Sequence, residues 1–414
     1  MKTEIISIGD ELLIGQVVNT NASWIAEQLN IAGIEVIRIN TIADIREEIL
    51  KALQEASDRA EVVLITGGLG PTRDDITKNT LCEYFDSRLV FHEPSFAYVK
   101  KLFGDRRLPV REVNRKQAEV PHNCIPIVNE NGTAPGMWFE KEGTVFVSMP
   151  GVPFEMKAMI SNYVIPELSK KINGLQIIHK KVLTQGVGES FLSELISDWE
   201  NSLPAYMKLA YLPQPGIVRL RLSGSGRDRA KLSIGMDEKI KELQNIIPEL
   251  IFGYGEKTME EVVGGLLKND GMTLSTAESC TGGYIAHLIT SIAGSSAYFK
   301  GSVVAYSNQI KTSILDVKED TLAEHGAVSE QTVTGMALGV KKKFNTDFAI
   351  AVSGVAGPDG GTDQKPVGTT WIAVAGPDVL IAEKYLLGKD RQRNIRVAAI
   401  TALNKLRLMM INDK

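Results

Sequence analysis

A serine, a tyrosine and a lysine are the side chains of this sequence best placed to break a covalent bond. Thr276-Ala277-Glu278-Ser279-Cys280-Thr281-Gly282-Gly283 sets Ser279 where an apolar run, Met272 to Ser275, gives way to a glycine-rich turn and a helical pattern. Val303 to Lys311 then supplies Tyr306 and Lys311, five residues apart, at the end of another apolar run. A nucleophile needs exposure on a tight strand-to-helix turn, backbone N–H donors beside it and a group to take its proton. The chain has only 5 histidines, none with an obvious aspartate partner, so a Ser–Lys arrangement fits better than Ser–His–Asp. Cys280 is the rival, a thiol being intrinsically the stronger nucleophile, but thiol amidases usually need an activating base and His287 lies well down the helix. Each residue also has a plainer reading: Ser279 as a helix N-cap, Lys311 as a solvated lysine, Tyr306 as strand packing.

A second group lies near the start of the chain. Gly9-Asp10-Glu11-Leu12-Leu13-Ile14-Gly15 follows one strand-like run, and Thr66-Gly67-Gly68-Leu69-Gly70-Pro71-Thr72-Arg73-Asp74-Asp75-Ile76-Thr77 follows another. Glycines permit close backbone approach, a helix beginning near Asp75 offers N–H donors, and paired carboxylates can hold a divalent cation on phosphate oxygens. The loops 129–136 and 149–156, with Asn131, Thr133, Pro150 and Gly151, are turn-rich. Asp44 followed by Glu47 reads equally as a capping box, and one of Asp74 and Asp75 as an N-cap.

The elements that must position these groups alternate. Ile5 to Ile8, Glu35 to Ile39, Val62 to Ile65 and Thr144 to Val147 read as strands, and Asp44 to Ser57 as a one-sided helix, so the first 170 residues predict a three-layer α/β domain. The stretch 171–252 has another texture: strands at 180–184 and 218–222, helices at Glu189 to Trp199 and Leu232 to Ile247, turns at Pro213, Pro215 and Gly216. That is a small α+β module, and Pro248 to Glu256 reads as a connection. A second α/β pattern fills 253–414, ending in an amphipathic helix from Arg391 to about Met409. There the strand Phe348 to Val352 runs into Ser353-Gly354-Val355-Ala356-Gly357-Pro358-Asp359-Gly360-Gly361-Thr362, at the strand end where open α/β sheets bind ligands. Gly326 to Ser329 and Gly368-Thr369-Thr370 are further turns of that kind, able to cradle a phosphate or an oxyanion.

Three domains suit 414 residues, and 43% hydrophobic with 23% charged content suits packed cores. A net charge of -4 without a basic, aromatic-interleaved stripe gives no support to nucleic-acid binding. No apolar run approaches the roughly 20 residues of a membrane span, and Met1-Lys2-Thr3-Glu4 lacks a signal-peptide pattern. Cys82, Cys124 and Cys280 are scattered, without metal-ligand spacing. A reducing cytoplasm is the expected location.

From about Thr258 onward, AESCTGG, AYSNxxK, GAVS and SGVAGPxGG…KPVGT occur in order, and this half resembles the C-terminal domain of the CinA family, the nicotinamide mononucleotide deamidases. The resemblance implies hydrolysis of the nicotinamide mononucleotide carboxamide to nicotinate mononucleotide and ammonia, without a cofactor. It makes Ser279 the nucleophile, assisted by Tyr306 and Lys311, with Arg393 near the substrate ahead of its neighbours Arg391 and Arg396. Substrate contacts are then expected at Thr281, Gly282, Gly283, Ser329, Gly357, Gly360 and Thr369. Residues 3–170, with GGLGPTxDDxT, GTAPG and PGVPxEM, resemble the molybdopterin-binding fold in its CinA version. That likeness implies an ADP-ribose pyrophosphatase yielding AMP and ribose 5-phosphate, with a divalent metal such as Mg2+ and with potassium. The carboxylates are Asp10, Glu11, Asp44, Asp74 and Asp75, with Asp75 first, and the substrate contacts Gly67, Gly68, Gly70, Thr72, Asn131, Thr133, Pro150 and Gly151. The same fold also binds and adenylylates molybdopterin, which stays open as an alternative, as does a competence or DNA-damage accessory role. The middle stretch resembles the KH-type domain of CinA and reads as a spacer or dimerisation element. The family favours a homodimer.

Overall fold

Val62–Thr66, an apolar run up to its closing threonine, is buried along its whole length, as a strand covered on both faces must be. In the computed structural model, which describes residues 1–70, 72, 75–105, 107, 109–171 and 176–412, this run is β3. With β1 (Lys2–Ile8), β2 (Glu35–Ile42), β6 (Ile125–Ile127), β7 (Gly136–Lys141) and β8 (Thr144–Met149) it forms a six-stranded sheet of order β2-β1-β3-β8-β7-β6. The first four of that order are parallel; β7 and β6 close one edge as antiparallel additions. Side chains alternate across the pleat. Ile5, Val62 and Leu64 meet Ile25 and Leu29 of the helix Thr20–Ile31, while Ile6, Val63 and Ile65 meet Ile49 and Leu53 of the helix Arg46–Ser57. Three layers result. A short ribbon of β4 (Leu89–Phe91) and β5 (Glu119–Pro121), with the helices Glu93–Asp105 and Glu112–Gln117, has a small core of its own around Phe96, Val99 and Ala118.

Backbone contacts divide the chain into two units, residues 1–178 with 225–232 and residues 179–224 with 233–414. In the second, β9 (Gln176–Thr184), β10 (Met207–Gln214), β11 (Ile217–Gly226) and β12 (Ile251–Tyr254) make a sheet of order β10-β11-β9-β12. Pro213 sits inside β10, permitted there because β10 is an edge strand. The hairpin turns at Pro215-Gly216, with Gly216 at φ +82°. Two expectations change. The 248–256 connection contains β12, paired antiparallel to β9, and the 189–199 helix is two helices, Glu189–Leu195 and Ser197–Asn201, meeting at Ile196.

The rest of this unit is a five-stranded sheet: β13 (Leu274–Glu278), β14 (Phe299–Val304), β15 (Phe348–Gly354), β16 (Thr369–Ala375) and β17 (Leu380–Leu386), in the order β14-β13-β15-β16-β17. β13 runs parallel to both neighbours, and β16 and β17 are antiparallel. The helices Met259–Asp270 and Arg391–Asn412 cover one face, Asn308–Leu315 and Glu330–Phe344 the other. Thr258 and Glu261 form a capping box on the first of these.

Leu183 and Phe252 of the smaller sheet belong to this core. Beside them lies a buried polar knot. Gln185 donates to Thr401 Oγ1 (3.2 Å) and accepts from Asn404, whose Oδ1 accepts from Arg407 Nε (2.7 Å). The Arg407 guanidinium, only 5% exposed, donates to the carbonyls of Ile251 (3.2 Å) and Glu249 (2.7 Å). Burial pushes its pKa down. Among the described residues no helix is long and apolar enough to cross a membrane.

Candidate active sites

Glu278 is the last residue of β13. Its carbonyl accepts the Ala305 N–H (2.7 Å), and the next amide, Ser279, donates to Val352 (2.9 Å). The chain then turns sharply. Gly282 and Gly283 take φ of +61° and +96°, a region that L side chains rarely enter, and Gly283 caps the helix Tyr284–Thr290. Ser279 is thus left half-buried at the end of a central strand.

Lys311 comes to it from the helix Asn308–Leu315, whose N-cap Ser307 accepts the Ile310 N–H. Its side chain is 2% exposed. Nζ lies 3.2 Å from Ser279 Oγ and donates to the Ala305 carbonyl at 2.8 Å. Burial pushes the amine below its usual lysine value, which favours the neutral form a base needs. Cys280 fares differently: burial drives its thiol up to about 12, so thiolate is scarce beside Ser279.

Tyr306 is 63% exposed, and its hydroxyl accepts from Arg391 (2.9 Å). Among the described residues no hydrogen bond joins it to Ser279 or Lys311. Arg391 also donates to the Gly357 carbonyl (2.7 Å). Together these groups line a cavity of about 300 Å³, with Asn308, Ser353, Asp359 and Gly360, near the lower end for small-molecule sites.

Several expected contacts fall outside that lining. Arg393 turns away, its guanidinium on the Leu387 carbonyl (3.3 Å), and Arg391 reaches the cavity instead. Two positions on a helix are about 200° apart, so the two arginines cannot share a face. Ser329 is an N-cap: it accepts the Thr332 N–H and donates to the Gly326 carbonyl (2.9 Å). Thr281 and Thr369 are buried, and Gly282 and Gly283 shape the turn without lining the cavity. Gly357 and Gly360 do line it. Asn308, Ser353 and Asp359 lay inside the motifs without being singled out. Ser353 holds the facing loop through the Ala327 carbonyl (2.6 Å).

The first unit has its cavity, about 470 Å³, at the carboxyl ends of β1, β3 and β8. Gly67, Gly68, Gly70, Thr72, Thr133, Pro150 and Gly151 line it with Glu11, Asp44, Asp75 and Glu155. Close packing requires two of these glycines. A Cβ at Gly67 (φ +114°) would stand 2.1 Å from the Ile8 carbonyl, and one at Gly68 (φ +65°) 2.0 Å from Thr77 Oγ1. Asp75 closes the glycine loop, accepting the N–H groups of Gly70 and Thr72 (both 2.8 Å) and the Thr72 hydroxyl (2.5 Å). It caps this loop, not a helix: the helix Thr77–Tyr84 starts after Ile76 with no side-chain cap.

Asp44 likewise does not cap its helix, whose N-cap is Ile45. It accepts the Asp10 N–H, and Asp10 accepts the Asp44 N–H, both at 3.3 Å. Asp10 and Asn131 lie outside the lining, and the Asn131 backbone N–H donates to Asn129 Oδ1 (3.1 Å). Asp74 lies outside the described residues. Burial raises the Asp44 pKa, the Asp10 N–H partly offsets this, and the negative neighbours Asp10, Glu11 and Asp75 raise it further. Among the described residues no three His, Cys, Asp or Glu side chains are grouped to hold a metal ion. Glu11 and Asp44 suit a hard divalent cation bound by one or two carboxylates plus substrate phosphate, not an all-protein cage.

Fold and sites together define an α/β protein that joins a molybdopterin-binding-type domain to a KH-type module and a domain with a serine–lysine pocket. Residues 256–410 match the family CinA C-terminal domain, residues 4–170 the family described as a probable molybdopterin binding domain, and residues 179–253 the damage-inducible protein CinA KH domain. A CinA-like protein of Cytophaga hutchinsonii is 48% identical over 404 residues, covering 98% of this chain and 97% of that protein. One from Flavobacterium psychrophilum is 48% identical over 408 residues, 98% of each. Among solved structures, the competence/damage inducible protein of Agrobacterium tumefaciens is 36% identical, covering 37% of this chain and 97% of its own, with a TM-score of 0.36. The protein CinA of Thermoplasma acidophilum is 33% identical, covering 41% of this chain and 97% of its own, with a TM-score of 0.37. This chain belongs to the CinA family.

Proposed function

We propose that the chain is a bifunctional pyridine-nucleotide recycling enzyme, hydrolysing the amide of nicotinamide mononucleotide in its C-terminal domain and ADP-ribose in its N-terminal domain. The observation that carries the first activity is the buried Lys311 amine 3.2 Å from Ser279 Oγ. Neutral Lys311 takes the hydroxyl proton as Ser279 Oγ attacks the carboxamide carbon. The oxyanion is met by the N–H group of Cys280, which lines the cavity, a kind of donor worth about 3–4 kcal/mol. Lys311 returns its proton to the departing nitrogen as ammonia leaves. Water, deprotonated by the same amine, then cleaves the acyl-serine ester and releases nicotinate mononucleotide. Exposed Tyr306 offers a face to the pyridinium ring, and Arg391 a cation to the phosphate.

For the second activity the glycine loop closed by Asp75 presents the N–H groups of Gly68 and Leu69 to the pyrophosphate, those of Gly70 and Thr72 being held by Asp75. A divalent ion, when bound, supplies charge neutralisation at the phosphate oxygens. Glu11 and Asp44 would hold it, and their crowding favours a cation between them. The test compares wild type, Ser279→Ala and Asp75→Ala side by side, for ammonia from nicotinamide mononucleotide and for AMP from ADP-ribose with Mg2+. Near-normal ammonia release by Ser279→Ala removes the first claim; no AMP from wild type with any divalent metal removes the second.

One observation favours a second reading of the N-terminal domain. Both Asp75 oxygens are already engaged by its own loop, which suits a domain that holds molybdopterin or a nucleotide without cleaving it. Calorimetric binding of ADP-ribose or molybdopterin without turnover would favour that reading.

A further inference from the structure

Glu278 stands one residue before the proposed nucleophile, fully buried, and takes no part in the proton transfers above. Its carboxylate accepts the N–H groups of Gly283 (3.1 Å) and Ile285 (3.0 Å) on one oxygen and that of Ala286 (2.8 Å) on the other. All its side-chain hydrogen-bond partners among the described residues are therefore backbone amides just beyond Ser279. Its own carbonyl and the Ser279 N–H are pinned to the neighbouring strands, at 2.7 and 2.9 Å. The excursion from Ser279 to Gly283 is thus clamped at both ends, by the sheet before it and by this carboxylate after it.

We infer that Glu278 is a positioning residue, whose carboxylate occupies the amide donors of Gly283, Ile285 and Ala286 where the helix Tyr284–Thr290 begins, so that the excursion presents Ser279 to Lys311 in one geometry. The inference rests on the reading of Ser279 as nucleophile. Two consequences follow. The donor left for an oxyanion in the cavity is the Cys280 N–H, because those of Gly283, Ile285 and Ala286 are taken by Glu278 and those of Gly282 and Tyr284 by the carbonyls of Ser279 and Thr281 (both 3.1 Å). The substrate's phosphate is also refused at this helix start, already filled by an internal anion. The nucleotide must then lie with its carboxamide at Ser279 and its phosphate toward Arg391.

The decisive property is charge with two acceptor oxygens, not size. An isosteric glutamine keeps one acceptor and turns an NH2 group toward amide hydrogens, so at least one of the three bonds becomes a donor–donor clash. Charge-assisted bonds of this kind are roughly twice as strong as neutral ones.

The experiment uses the full-length chain with E278Q, and with E278A to vacate the space. E278Q is expected to lower kcat for ammonia release about a hundredfold, the scale of a misplaced nucleophile, with KM little changed. In E278A, acetate is expected to restore kcat saturably and to raise the melting temperature; chloride at the same ionic strength, and acetate added to wild type, do neither. A near-wild-type kcat for E278Q overturns the inference, as does an E278A protein indifferent to acetate. If E278A does not fold, E278Q alone decides through its kcat. If wild type releases no ammonia, the nucleophile reading has failed, and the acetate-dependent melting of E278A still decides whether an anion holds the turn.

Discussion

Replacing Lys311 with methionine removes an amine and keeps nearly its volume, which makes it the sharpest probe of the C-terminal chemistry. Two bonds are lost, the 3.2 Å approach to Ser279 Oγ and the 2.8 Å bond to the Ala305 carbonyl. A positioned base contributes about 10²–10⁴ in rate, or about 2.7–5.4 kcal/mol at 1.36 kcal/mol per decade. The orphaned Ala305 carbonyl costs stability, about 1–3 kcal/mol if fully desolvated. Against this, the buried amine is itself a burden. Its pKa is lowered from 10.5 by burial, so the unfolded chain binds its proton more readily than the folded one. Wild-type stability should therefore rise with pH across the window between the lowered value and 10.5, a slope that the methionine variant lacks. The two effects oppose, and Lys311→Met is expected to melt close to wild type near neutrality while releasing ammonia at least about a hundredfold more slowly. A coupled ammonia assay and a thermal melt over a pH series read both. A folded Lys311→Met protein with kcat close to wild type would refute the assignment of Lys311 as base.

For the same reason kcat/KM for nicotinamide mononucleotide should rise with pH to a plateau, its midpoint below the ordinary lysine value of 10.5, because the neutral amine is the active form; a limb at or above 10.5 contradicts this. Cys280→Ala should keep most of the ammonia release and the wild-type thiol should resist iodoacetamide at neutral pH, since burial raises it to about 12; loss of turnover would restore the thiol as rival. Arg391→Gln should raise KM about tenfold or more, the scale of one charge-assisted hydrogen bond, while Arg393→Gln leaves it unchanged, and equal effects would undo the distinction drawn from helix phase. Gly68→Ala should abolish AMP formation without touching ammonia release, as its Cβ would stand 2.0 Å from Thr77 Oγ1; retained AMP formation would show that the loop tolerates the shift.

Legibility in the sequence followed the range of the forces involved. The buried strands announced themselves because a run such as Val62 to Ile65 or Phe348 to Val352 has no polar residue to place in solvent. The ribbon at 89–121 did not, since three-residue strands carry too little periodicity. Ser279 and Lys311 were legible as chemical types in a motif, whereas the choice of Arg391 over Arg393 depends on the rotational phase of a helix, fixed by packing. Asp44 looked like a local cap, yet its partner is Asp10, 34 residues away, and a distant amide leaves no local signature. The role of Glu278 is not legible, because nothing in AESCTGG tells a carboxylate facing solvent from one turned inward onto the amides of the next helix.

The knot of Gln185, Asn404 and Arg407 bears on how this protein can be dissected. A clone of the last 160 or so residues would carry Arg407 without the carbonyls of Ile251 and Glu249 that receive it, and Asn404 without Gln185. Half a socket would be left, with an arginine fitted to carbonyl oxygens now soaking in water and Leu183 and Phe252 missing from the oily face beside it. The sensible place to cut lies upstream of the KH-type module, so that the two travel as a single piece.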